Sequence, residues 1–200
     1  MTDDGQANSE TATPDVTGTG TEFSTQLEQV IAVVDHAVVD ICAFLAAVPQ
    51  VDSERRPAPD AWSVGEILHH VVLAIGYVGK LPHIIETQPA DRFQYSAVIA
   101  QRRFTLPDIV DPEKGGKGVA PESVRPSAGG DIRNLARELV LAWEESKAKL
   151  RSVAERDLSR YYWEHYRLGP LNLYEAIAFQ GYHALKHLAQ MKRTWTAIGA

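Results

Sequence analysis

A single cysteine, Cys42, in 200 residues leaves the chain without an internal disulfide, a CxxC redox pair or a thiolate zinc cluster. Any metal must then be held by histidines and carboxylates. Basic residues are also outnumbered, 20 Lys and Arg against 26 Asp and Glu, for a formal charge of −6. Asp3, Asp4, Glu10, Asp15 and Glu22 carry −5 of it in residues 1–22, where no Lys or Arg occurs, so the remainder stands at −1. With no basic cluster to neutralise phosphates, no nucleic-acid partner is expected. The opening MTDDGQANSE lacks the basic start and apolar run of a signal peptide, and no stretch approaches 18 uninterrupted apolar residues. The expectation is a cytoplasmic protein with no membrane span. G-x-S-x-G and H-E-x-x-H are missing, which leaves a serine-hydrolase elbow and a zincin protease site unsupported. Gly115-Gly116-Lys117-Gly118 falls short of a phosphate loop because the full pattern and a preceding strand are both lacking.

What is present is helical periodicity. Residues 1–22 are polar, too poor in apolar side chains to offset the entropy of ordering, and read as a disordered tail. From Glu22 to Ala47, Leu27, Val30, Ile31, Val34, Val38, Ile41 and Leu45 recur at helical spacing, and Pro49 follows. Ser63 and Glu66 form an S-x-x-E capping box that starts a second helix running to about Glu86. Residues 88–128 are rich in Pro and Gly and read as one long loop, with room for short helical turns around Arg92 to Arg103. A third helix spans about Asp131 to Arg156, an aromatic connector follows, and Asn172 with Glu175 caps a fourth. No run of strands is visible. The fold class is all-α: a four-helix bundle over residues 23–200 with a long loop between helices 2 and 3.

Histidines mark the candidate site. Projected at about 100° per residue, Leu173, Ile177, Gln180, Ala184, Leu188, Met191 and Trp195 form one stripe of the last helix, and His183 and His187 lie within it. Buried neutral imidazoles cost about 1–3 kcal/mol per unsatisfied group, so these two need hydrogen-bond partners or a shared ligand. Their H-x-x-x-H spacing lets both rings reach one metal ion. The alternative is a pair of core histidines bonded to carbonyls or to Gln180. His69 and His70 flank the apolar stripe of the second helix on opposite sides, and periodicity does not choose between them. Gln190 is a candidate for orienting a ligand ring or a bound group, with a solvated helix-flank glutamine as the alternative, and Tyr182 is a lesser candidate for the same role. Tyr161, Tyr162, Trp163, His165 and Tyr166 crowd the connector, where aromatics commonly plug a bundle end. Cys42 on an apolar helix reads as a small core residue rather than a nucleophile.

Two segments carry a family resemblance: PAPDAWSVGEILHHVVLA, residues 57–74, and LGPLNLYEAIAFQGYHALKHLAQMKR, residues 168–193. Trp62, Ser63, Glu66 and His70 fill a W-S-x-x-E-x-x-x-H pattern, and His183, His187 and Gln190 fill H-x-x-x-H followed by Gln. In these features and their order the chain resembles the DinB-like (DinB/YfiT) superfamily over residues 23–196. The resemblance implies a four-helix bundle holding a divalent metal (zinc, nickel or iron) on His70, His183 and His187, with water completing the shell. It selects His70 over His69. Relatives of that kind include thiol S-transferases that use bacillithiol or mycothiol, and mycothiol-dependent maleylpyruvate isomerases. The implied reading is a metal-dependent enzyme acting on a small-molecule substrate, a thiol S-transferase with a low-molecular-weight thiol as cofactor or else a hydrolase, with a homodimer as the assembly. The alternative is a non-catalytic ligand-binding or stress-associated bundle whose metal is structural or absent. Fold alone does not choose between them.

Overall fold

The computed structural model describes residues 19–88, 106–110, 119–127 and 130–199. Residues 1–18 of the tail, the turns expected around Arg92 to Arg103 and the Gly115–Gly118 stretch lie outside the described residues. Helix α1 spans Gly20–Ala47, starting ahead of the expected Glu22 because Thr19 and Glu22 make a capping box, with the Thr19 N–H donating to Glu22 Oε2 at 2.6 Å. It stops where Pro49 forces Val48 into extended backbone, and a single helical turn, Gln50–Ser53, follows.

Helix α2 spans Val64–Gly76 and opens with the expected capping box: Ser63 Oγ accepts from Glu66 N at 3.2 Å, and Glu66 Oε2 accepts from Ser63 N at 2.9 Å. The continuous helix expected to Glu86 does not form. After Gly76 the chain tightens into a 3-10 turn, Val78–Lys80, and resumes as a short helix, Leu81–Thr87. Pro82 lacks an N–H and its ring cannot follow the carbonyl four residues back, so it begins a helix rather than continuing one.

Helix α3 spans Ile132–Arg151, capped by Asp131, and ends before the expected Arg156. The connector holds a two-stranded antiparallel hairpin where no strand was expected: β1, Tyr162–His165, pairs with β2, Gly169–Asn172. Gly169 sits at φ +73°, a conformation glycine adopts without strain, and this allows the turn to close. Helix α4, Leu173–Ala197, begins at the expected Asn172–Glu175 capping box.

The four long helices close into a bundle, α1 packing on α4 and α3, and α2 on α3 and α4. Its core includes Ile31, Ile41, Ile67, Leu139, Trp143, Ile177 and Met191. Trp143, fully buried, keeps its indole N–H satisfied by Asp35 Oδ1 at 2.6 Å. Two described helical stretches, Gly20–Ala47 and Val64–Thr87, are long and apolar enough to cross a membrane by length and composition alone. Their buried residues include Leu27, Ile31, Val34 and Ile41 in the first, and Ile67, Leu68, Val71 and Ile75 in the second, and all of these belong to the bundle core.

Candidate metal centre

His70 comes from the middle of α2, and His183 and His187 from successive turns of α4. The packing of α2 on α4 brings the three together: one ring nitrogen of each lies within 4.8 Å of the others. His183 Nε2 stands 3.4 Å from His70 Nε2 and 3.0 Å from His187 Nε2. His70 is 4 % exposed and His187 9 %, and His183 is half-buried.

The opposite ring nitrogens are held by protein acceptors. His70 Nδ1 lies 2.6 Å from the Val124 carbonyl, and since a carbonyl only accepts, the ring donates and carries its proton on Nδ1. His187 Nδ1 donates to Gln190 Oε1 at 2.9 Å, so Gln190 fixes that ring as the sequence anticipated. Two neutral rings protonated at Nδ1 point bare Nε2 lone pairs at His183 Nε2. That nitrogen can offer at most one proton, so protons alone leave a lone pair unmatched. Protonating a second ring is opposed by burial, which lowers the pKa of each histidine. Burial, with the nearby His70, takes His187 down to about 3. His183 is held well below its ordinary value by burial and by repulsion from His187 and His70. His70 is lowered by burial against the opposing hydrogen bond to Val124.

A divalent cation satisfies this donor set. Metal–nitrogen distances of about 2.0–2.1 Å at tetrahedral angles would place ligand nitrogens about 3.3–3.4 Å apart; the His70–His183 spacing of 3.4 Å matches this and the His183–His187 spacing of 3.0 Å is shorter. Aromatic rings flank the cluster: Trp62 lies 5.3 Å from His70, and Phe179 stacks on His183 at 5.5 Å with 24° between the planes. The hairpin adds His165, whose ring contacts Phe179 at 4.7 Å and whose Nδ1 accepts from the N–H groups of Arg167 and Leu168 at 3.2 and 3.1 Å. Burial, with the charge of Arg167, takes it down to about 4.

A family model, described as the DinB superfamily, matches residues 26–191. The chain belongs to the DinB superfamily. No curated protein and no solved structure matches it. The DinB match takes in all three histidines and the helices that bring them together.

Of the other residues singled out in the sequence, Cys42 is a half-buried residue of α1 whose thiol pKa is raised by burial, which disfavours the thiolate. Among the described residues, Tyr182 makes no hydrogen bond to the cluster, and it is half-buried on α4. The Val124 carbonyl was not foreseen, since a main-chain group in a loop leaves no mark in side-chain identity. Phe179 could have been read from its place one turn before His183 on the same helix.

Proposed function

We propose that the protein is a metal-dependent enzyme in which His70, His183 and His187 hold a divalent cation and leave coordination positions free for a reactant. The convergence of three neutral imidazoles, joined by no carboxylate or thiolate among the described residues, is the observation that carries this reading. Three protein ligands characterise catalytic rather than structural sites, which are closed by four. Within the family, the chemistry that suits such a centre is transfer to or from a low-molecular-weight thiol on a small-molecule substrate.

When bound, the cation supplies Lewis acidity and favours the thiolate form of a coordinated thiol, the form that attacks an electrophile. The chain's own residues do the rest. Val124 and Gln190 keep two rings in the tautomer that presents Nε2. Trp62 packs beside His70 and Phe179 stacks on His183, which limits the freedom of both rings. Burial raises the Cys42 pKa and disfavours its thiolate, so the reading takes the reacting sulfur from the cofactor. A cytoplasmic location, with its reduced thiol pool, and a homodimeric assembly belong to the same proposal.

The test is metal content by plasma mass spectrometry on untagged protein, wild type beside His70→Ala, His183→Ala and His187→Ala. About one divalent ion per wild-type chain and loss in each variant is the expected result, followed by thiol-transfer assays with that metal. A wild-type chain that takes up neither zinc, nickel nor iron overturns the proposal. Metal removal that unfolds the bundle returns the structural-metal alternative, because binding energy is then folding energy.

A further inference from the structure

His69 and His70 are consecutive on α2, so their side chains diverge by about 100° around the helix. Both nevertheless meet the same short stretch of chain. His70 Nδ1 donates to the Val124 carbonyl at 2.6 Å, while His69 Nδ1 lies 3.2 Å from both the Ser127 N–H and the Ser127 Oγ. A main-chain N–H only donates, so His69 Nδ1 is an acceptor and that ring carries its proton on Nε2. The stretch begins with the 3-10 turn Glu122–Val124, packed on α2, and the described part of it ends at Ser127. Ser127 itself is exposed, and its hydrogen bonds to His69 tie the far end of the stretch to the helix.

We propose that His69 is a positioning residue: by gripping Ser127 it holds the Val124 carbonyl on His70, and it thereby sets how tightly the three-histidine centre binds its cation. The inference rests on the metal reading above for its second half alone. A carbonyl acceptor on the outer nitrogen fixes ring orientation and raises the basicity of the inner one, and losing such a partner weakens metal binding by about 10–100-fold. The charge of His69 also acts directly on His70, whereas its hydrogen bonds to Ser127 act through residues 124–127. Because coupling between two binding events is reciprocal, loading His70 also strengthens the hold on Ser127.

Three variants separate positioning from simple structural damage. His69→Ala removes the acceptor. His69→Asn replaces it with an amide oxygen at the same branch position, and Ser127→Pro deletes the N–H while leaving His69 in place. Hydrogen exchange at the Ser127 amide, read by NMR in metal-free protein, is expected to quicken in His69→Ala and to return toward wild type in His69→Asn. Zinc affinity, measured by competition with a chromogenic chelator, is expected to fall about tenfold in His69→Ala and in Ser127→Pro, with His69→Asn within about threefold of wild type. Adding zinc is expected to slow Ser127 exchange in wild type but not in His70→Ala. Unchanged exchange in His69→Ala overturns the grip on Ser127. Faster exchange with unchanged zinc affinity overturns the coupling. A wild-type chain that binds no zinc, nickel or iron overturns the metal reading instead, and the metal-free exchange data still decide whether His69 holds Ser127.

Discussion

Gly181 on α4 lies so close to Val33 on α1 that a Cβ at position 181 would stand 2.8 Å from Val33 Cγ1 and 2.9 Å from the Val33 carbonyl carbon and oxygen. The helix carrying His183 is therefore set against α1 at a distance only glycine permits. Main-chain atoms cannot rotate away as a side-chain tip would. Gly181→Ala regains up to about 1 kcal/mol of helix propensity, but overpacking costs about 1–3 kcal/mol, and backbone contact argues for the upper part of that range. A net loss of about 1–2 kcal/mol is expected, seen as a melting temperature lower by roughly 3–6 °C. A variant as stable as wild type would show that α4 can shift without cost.

Gln190 accepts from His187 Nδ1 at 2.9 Å. Gln190→Leu keeps the bulk and removes the acceptor. Zinc affinity is expected to drop by about 10-fold with helical circular dichroism unchanged. Affinity equal to wild type would assign Gln190 to the surface of the helix.

The pH dependence follows from the lowered histidines. In metal-free protein the folded pKa values lie below the unfolded value near 6.5, at about 3 for His187 and about 4 for His165. Between the folded and unfolded values the unfolded chain binds more protons, so stability falls as pH drops below about 6.5 and keeps falling toward the folded values. Denaturant titrations at pH 7 and pH 5 are expected to give the lower midpoint at pH 5. Protons compete with a bound cation only where the free ring would accept them. Metal release is therefore expected well below pH 6, where reference histidine values alone would put its onset. Half the metal lost by pH 6.5 in equilibrium dialysis would contradict this.

Cys42 is expected to alkylate more slowly than free cysteine at pH 7.5, because burial raises its pKa and the thiolate is the reactive form. Cys42→Ala is expected to keep wild-type metal content and thiol-transfer activity. Loss of activity with metal retained would make the protein's own sulfur a reactant.

The bundle was legible where local signals agreed. Ser63 with Glu66 and Asn172 with Glu175 marked the starts of α2 and α4, and the 3.6-residue periodicity placed His183 and His187 toward the interior. The signals failed where tertiary contacts decided. The strand pairing of Tyr162–His165 with Gly169–Asn172 depends on a turn closed at Gly169, and a run of aromatics carries no clear period over four residues. The break after Gly76 was hidden because the apolar pattern continues through Val78, Leu81 and Ile85 although Pro82 interrupts the hydrogen bonds. His70 could not be separated from His69 by periodicity, since both flank the stripe. Their partners in a remote loop distinguish them, and contact across 54 residues is invisible to a window of helix length.

His70 and His183 stand 113 residues apart in the chain, yet their Nε2 atoms lie 3.4 Å apart. No single helix contains the centre: α4 alone offers two of its imidazoles, and α2 one. Closing so long a loop is an entropic cost met only when most of the bundle has assembled, so the centre forms late in folding. Tight capture of a cation by a refolding chain would then act as a clock for native topology, lagging the appearance of helix.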